Sequence, residues 1–316
     1  TFLTNMDMVD TSTSAVAEVN KFVAIDDIHK TILYIIKGTE DAQPRFVQRA
    51  LRQNVSARKY VKGTQLDELL NKYIPLTNSS YENMLKCITK IKDHEATLPP
   101  PPVSALDEAA AFEAASKSSP SKEAKVAFDD DINMDIDSET KEEKNNGPPT
   151  EVLPEVEIYL FTLIVNTLLR YDLNQYTPLA SAQLTQRCMA FNRRSLDLLA
   201  SRAYLVLSLS FEKVNRLNEI RATLLKLYRT SCVRHDDVGQ AVLLNLLLRN
   251  YLHFNLINQA KLLSGRTTFP ETASNNQFCR FLYYMGRIQA IQLEYADSYK
   301  RLMWAARKSP QDTGLG

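Results

Sequence analysis

The sequence predicts an all-α protein, built over most of its C-terminal half as a solenoid of helical repeats. Hydrophobic residues recur there at helical spacing, and no run of alternating β-branched residues competes with them. Small residues also return at a constant interval of 38 residues, at Ala222, Ala260 and Ser298. A constant interval of this kind indicates stacked helix pairs, and it is the observation on which the fold class depends.

Four short amphipathic segments predict an N-terminal helical region over residues 1–95. They span residues 27–37, 44–52, 64–74 and 80–92. Pro44 suits the first turn of a helix, because proline lacks the amide hydrogen that this turn leaves unpaired. Phe46, Val47, Ala50 and Leu51 then follow at helical spacing.

Residues 96–150 are predicted to be a disordered, proline-rich and acidic linker that proteases cut first. The run LPPPPVS disfavours both helix and sheet, and the segment carries 12 acidic and 5 basic residues with little apolar surface. Such a run is usually only solvated. A docking motif formed by the interleaved Ile132, Met134 and Ile136 is the less favoured alternative.

Residues 151–316 form the predicted helical-repeat solenoid, in which helix, short turn and helix alternate. Seven segments show the helical period: 155–170, 195–214, 217–232, 238–253, 257–265, 276–294 and 296–309. In the last pair Gly286, Tyr295, Ser298, Ala305 and Pro310 occupy the relative positions that Gly, Tyr, Ala, Ala and Pro take in a tetratricopeptide repeat. The solenoid is therefore predicted to be tetratricopeptide-like, with small residues where paired helices approach most closely.

The stretch RHDDVGQAVLLNLLLRNYLH, residues 234–253, tests whether the chain carries a catalytic site. A helix with leucines on more than half of its circumference must lie between neighbouring helices. Asp237 followed by Gln240 fits a helix cap, whereas His235 and Asp236 point about 100° apart on a helix and do not converge on a ligand. A hydrolase using His235 and Asp236 is the disfavoured alternative, and we predict no catalytic, cofactor-binding or metal-binding residue.

Other functional classes are disfavoured by what the sequence lacks. With 8 glycines it shows neither G-x-G-x-x-G nor G-x-x-x-x-G-K, so a phosphate-binding loop is not expected. Its 4 cysteines are far apart and no secretory leader is visible, which predicts free thiols in a reducing compartment. No apolar run is long enough to span a bilayer, so no membrane partner is expected. Without a phosphate-binding motif, no cofactor is expected either.

Several stretches, taken in order, resemble one protein family. PRFVQRALR, LPEVEIYL, NRRSLDLLASRAY, RHDDVGQAVLLNLLLRNYLH and FPETASNNQFCRFLYYMGRIQAIQLEY are similar to the family of non-ATPase regulatory subunit 3 of the 26S proteasome. The resemblance implies a non-enzymatic scaffold of the proteasome lid that supports ubiquitin-dependent protein degradation in the cytoplasm and nucleus. It also implies a solenoid followed by a PCI domain, which we expect to be absent from this chain.

The implied partners are other lid subunits, including a small acidic lid protein, and the charge pattern suggests where such a partner binds. Residues 151–316 carry 20 basic and 13 acidic residues, a net charge of +7. Arg249 and Arg287 are 38 residues apart, which predicts that both lie on one side of the solenoid and form a partner-binding face. An RNA-binding repeat is the alternative, but the residue 38 positions before Arg249 is Phe211, so the basic signal does not recur in every repeat.

Overall fold

The computed structural model describes residues 26–51, 61–75, 78–97 and 153–309. Within these ranges the chain is helical apart from its connecting turns and one short 3₁₀ helix, and it contains no strand. The all-α fold class is therefore confirmed. The predicted linker lies outside the described ranges, except for Ala96 and Thr97, which belong to the end of a helix.

All four helices predicted in the N-terminal region are present. They are α1 (26–40), α2 (44–51), α3 (Gly63–Tyr73) and α4 (Tyr81–Thr97). Their apolar faces meet in a core that includes Ile32, Leu66 and Ile88, each at most 2% exposed. Because isolated helices of this length are marginally stable in water, this shared burial is what holds them.

The solenoid follows as four helix pairs whose first helices pack on one another in chain order. The pairs are α5 (Pro154–Arg170) with α6 (Thr177–Ala190), α7 (Asp197–Lys213) with α8 (Arg221–Arg234), α9 (Asp237–His253) with α10 (Ile257–Arg266), and α11 (Asn275–Ile291) with α12 (Tyr295–Lys308). The 3₁₀ helix, Arg194–Leu196, precedes α7. Helix α6 was not among the predicted segments.

The N-terminal helices pack directly on the first helix of the solenoid. The carboxylate of Glu95, on α4, accepts hydrogen bonds from the backbone N–H of Gly63 at 2.9 Å and from the hydroxyl of Tyr171 at 2.8 Å. Glu157, on α5, accepts bonds from Asn78 at 2.9 Å and from Arg187 at 2.6 Å. The two predicted regions therefore form one packed body in the described part of the chain.

Helix α9 is enclosed on several sides, packing against α7, α8, α10 and α11. Val242 and Leu246, which lie on the opposite side of the helix from most of its leucines, are also buried, at 3% and 5% exposure. This confirms that the leucine run is packing material, since a helix surrounded by other helices needs no polar face.

The four first helices end in the same turn, which helical periodicity does not predict. After α9, Asn255 adopts a left-handed conformation with φ 55°, and the N–H of Leu256 bonds to the carbonyl of Tyr251 at 2.8 Å. This is a Schellman motif, which satisfies carbonyls left open at a helix end. The residues with positive φ at the other three ends are Asp172, Asn215 and Leu293.

The 38-residue register holds for two of its three members. Ala260 and Ser298 are each the fourth residue of their helices, α10 and α12, and are 0% and 4% exposed. Ala222 does lie near the start of α8, as predicted, but its predicted place at the helix contact is wrong: Ala222 is exposed, and the fourth residue of α8 is Leu224, which is 0% exposed. The connection before α8 has seven residues (214–220), whereas the connections before α10 and α12 have three each.

Candidate partner interface

The His-Asp-Asp cluster between α8 and α9 has a structural role. His235 is the left-handed residue that closes α8, with φ 55°. Asp236 is the N-cap of α9, and its carboxylate accepts the N–H of Gly239 at 2.9 Å. The predicted cap was placed one residue too late: Asp237 lies in the first turn and accepts the hydroxyl of Thr272 at 2.6 Å, while Gln240 bonds to Ser231 instead of returning to the cap.

Asp236 shares its surroundings with a second carboxylate, that of Asp197. Burial and, to a lesser extent, the nearby charge of Asp236 raise the pKa of Asp197 to about 6, although the charges of Arg234 and Arg194 lower it. Burial likewise raises the pKa of Asp236, although the N–H of Gly239 opposes this. The cavity between them is about 10 Å³, room for at most one water, so these carboxylates cannot receive a substrate.

The cysteines of the described ranges are free thiols, as predicted. Burial raises the pKa of Cys87 to about 11 and that of Cys188 to about 12, so both remain protonated and weakly nucleophilic at neutral pH. No group of three or more His, Cys, Asp or Glu side chains with the geometry of a metal site occurs among the residues that the structure describes. None of the described helices is long and apolar enough to cross a membrane.

Arg249 and Arg287 occupy the same position, the thirteenth, in α9 and α11. Arg249 is held by an ion pair, with its Nη2 at 2.6 Å from Oε1 of Glu212 on α7, and its side chain is 43% exposed. The guanidinium of Arg287 lies 5.7 Å from the ring centroid of Tyr283. The thirteenth residue of α7 is Leu209 and not the predicted Phe211, so a basic residue recurs in two of these three first helices.

A groove of about 340 Å³ crosses the first helices α7, α9 and α11 beside Arg249. One wall is apolar and the other is polar and basic. The groove is lined by Leu205, Leu209, Val242, Asn245, Leu246, Arg249, Gln277, Arg280 and Tyr284. Arg287 is not in the lining, but it follows Arg280 by seven residues and therefore continues the same face of α11 two turns further on.

Arg280 is the cation that sequence reasoning missed. Its counterpart 38 residues earlier is Val242, so no repeat signal marks it. Only the packing of α9 against α11 brings Arg249 and Arg280 into the lining of one groove.

Asn245, which lines the groove, has an unpaired acceptor. Its Nδ2 donates to the carbonyl of Gln277 at 2.9 Å and to that residue's Oε1 at 2.8 Å. A carbonyl can only accept, so the amide orientation is determined and Oδ1 points elsewhere. Among the described groups Oδ1 has no donor, although Asn245 is only 4% exposed. A buried acceptor of this kind favours a ligand that brings an N–H group.

Comparison with known proteins identifies relatives of the whole chain. A family described as "PSMD3-like, N-terminal TPR repeats" matches residues 21–316. The chain is 36% identical over 294 residues to the 26S proteasome non-ATPase regulatory subunit 3 of Dictyostelium discoideum, covering 92% of this chain and 51% of that protein. It is 33% identical over 306 residues to the probable 26S proteasome regulatory subunit rpn3 of Schizosaccharomyces pombe, covering 97% and 53%. The chain spans about half the length of these relatives.

Proposed function

The chain belongs to the PSMD3-like family, within its N-terminal tetratricopeptide repeats, and from this we propose that it is a non-catalytic scaffold in the lid of the 26S proteasome regulatory particle. In that role it supports ubiquitin-dependent protein degradation by holding other subunits in place. Its relatives are named as non-ATPase regulatory subunits, which supports a role in assembly and not in chemistry.

The groove across α7, α9 and α11 is the structural observation that supports this role. A solenoid presents equivalent positions of successive repeats along one surface, which suits an extended partner segment. The groove combines exposed Leu209 with the cations Arg249 and Arg280, so it offers apolar area together with positive charge. A catalytic cleft would instead need convergent titratable groups, and the lining residues contain none apart from these arginines and Tyr284.

The proposed partners are other lid subunits, among them a small acidic lid protein bound on the face formed by Arg249, Arg280 and Arg287. The ion pair with Glu212 reduces what Arg249 offers to a partner, because one carboxylate already neutralises it. The contribution of Arg280 and Arg287 to an acidic partner is therefore expected to be larger. The proposed location is the cytoplasm and nucleus, where proteasome subunits would meet the chain.

Affinity purification of the full-length protein from its own cells, followed by mass spectrometry, tests the function. We expect the other lid subunits in stoichiometric amounts. A full-length variant with Arg280→Glu and Arg287→Glu tests the proposed face. It should lose the small acidic subunit while keeping the large ones. Recovery of the wild-type protein as a monomer without lid subunits would contradict the proposed role.

A further inference from the structure

The groove across α7, α9 and α11 has features that match a segment of this same chain. Residues 129–137 read DDDINMDID, with five aspartates and three apolar residues at alternate positions. The segment lies outside the described residues. Side chains alternate between two sides of an extended backbone, so Ile132, Met134 and Ile136 share one side and Asp131, Asn133, Asp135 and Asp137 the other.

We propose that segment 129–137 docks in this groove and occupies it until an external partner displaces it. The apolar side packs against Leu205, Leu209 and Leu246, and the aspartates approach Arg249 and Arg280. The docking deepens the proposed function by naming an internal competitor for the partner surface, but it requires no proteasome component.

Charge complementarity supports this occupant over others in the chain. The groove carries two arginines and one adjacent carboxylate, that of Glu212, which leaves a net positive charge. Segment 129–137 carries five negative charges and no positive one. Attraction between them is strongest over distances shorter than the screening length, which is about 8 Å at physiological ionic strength.

The unpaired acceptor of Asn245 supports an extended backbone as the ligand. A peptide lying along the groove presents backbone N–H groups, and one of them donates to Oδ1 of Asn245 only if docking shifts the side chains that cover this atom in the free chain, where its exposed surface is below 1 Å². An apolar small molecule would leave this acceptor unsatisfied, which costs free energy at a site only 4% exposed.

The length of the connecting chain fits the distance to be covered. Asp137 precedes Leu153, the residue before α5, by 16 positions, and a flexible chain of that length spans roughly 20 to 25 Å. Helix α9 lies two helix spacings from α5, about 20 Å, and Asn245 is its ninth residue, about 12 Å along the axis. The combined distance of roughly 25 Å matches the reach.

The proline run of the linker cannot take the same place. Pro99 to Pro102 follow Thr97 by at most five positions, and five residues extend at most about 18 Å. Glu95 holds that end of α4 at Tyr171, beyond the C-terminal end of α5, whereas Asn245, on α9, lies two first helices away from α5. Chain length therefore selects the acidic segment.

Site-specific photo-cross-linking in the full 316-residue chain tests the docking. A benzophenone amino acid replaces Leu209, which is 42% exposed at the groove, and mass spectrometry identifies the cross-linked peptide. We expect a cross-link within one chain to the peptide containing residues 129–137. The matched control replaces Leu179, which is 66% exposed on α6 and does not line the groove, and should give no such product. A Leu209 cross-link to another part of the chain, or only between two chains, would overturn the proposal.

Charge changes within the linker provide a second test of the docking, with the same cross-linking assay. Changing the five aspartates of segment 129–137 to asparagine should lower the yield of the Leu209 cross-link at least fivefold. The matched variant Glu139→Gln, Glu142→Gln, Glu143→Gln alters the same linker outside the segment and should preserve the yield. Equal yields from both variants would overturn the charge-based docking. Because the assay uses the isolated chain, a negative result leaves the purification test of the lid function unaffected.

Discussion

The hydroxyl of Ser298, on α12, donates a hydrogen bond of 2.8 Å to the carbonyl oxygen of Gly286, on α11. A Cβ atom added at Gly286 would lie 2.7 Å from Cγ of Leu302, closer than two carbon atoms can approach without rearrangement. The missing side chain at one residue and the small one at the other therefore allow the two helices to touch. This pair explains why the last repeat carries its small residues where it does.

Gly286→Leu is expected to destabilise the protein by about 1 to 3 kcal/mol, because the new side chain overpacks the contact with Leu302. Urea denaturation of the full chain measures the free energy of unfolding. Gly265→Leu is the matched control, since Gly265 also lies in a helix but a Cβ there meets nothing within 4 Å. An unchanged unfolding free energy for the Gly286 variant would contradict the packing described here.

Ala260→Leu and Ala222→Leu separate the observed register from the one predicted by spacing alone. Ala260 is 0% exposed and Ala222 is exposed. The first change should cost about 1 to 3 kcal/mol by overpacking, and the second should leave stability nearly unchanged. Thermal unfolding of both variants measures the two losses of stability. Equal losses would indicate that Ala222 also lies at the helix contact.

Asp236→Ala should destabilise α9 by about 0.5 to 2 kcal/mol, because it removes the N-cap bond to Gly239. Asp237→Ala should cost less, since that residue bonds only to the exposed hydroxyl of Thr272. Urea titrations of the two variants at pH 7 compare the costs. A larger loss at Asp237 would support the cap position predicted from the sequence.

Asp197→Asn should stabilise the protein at pH 8 and have less effect at pH 4. The folded-state pKa of Asp197 is raised from 3.8 to about 6, so the folded state favours the protonated form. The contribution of protonated Asp197 to folding stability is therefore fully present below the unfolded pKa of 3.8 and is lost as pH rises through the folded pKa of about 6. Melting temperatures of variant and wild type at the two pH values test this, with exposed Asp297→Asn as the control. A difference in melting temperature that does not change with pH would contradict the pKa of Asp197.

Binding of an acidic peptide to the full chain should weaken on the order of tenfold with Arg280→Glu plus Arg287→Glu, and should weaken as salt rises. Arg249 is left unchanged, because a carboxylate there would face Glu212. Lys226→Glu plus Arg229→Glu, on exposed positions of α8 away from the groove, is the charge-matched control. Fluorescence anisotropy with a labelled peptide gives the affinities. If the two variants bind the peptide with equal affinity, or if the affinity does not change with salt, the acidic partner does not bind on this face.

The helices and their packing role were largely predictable from local pattern. The leucines of α9 indicated a helix enclosed by others, and Gly286 with Ser298 indicated a close helix contact, because both signals depend on residues within one or two turns. Helix α6 was not predicted, because the prediction depended on apolar residues recurring at helical spacing. Its buried face is made partly of Ser181 and Thr185, with Ser181 bonded to Ser210 at 2.7 Å, so it shows little apolar periodicity.

The sequence by itself determined the fold class and the helix pairs of the last two repeats, since each depends on residue type and local spacing. Only the tertiary structure decided which aspartate caps α9, which residue of α8 meets its neighbours, and that Arg280 joins Arg249 in one groove. These features depend on turn length and on the crossing of helices that are distant in sequence. Helical periodicity carries no information about either, because it describes one helix at a time.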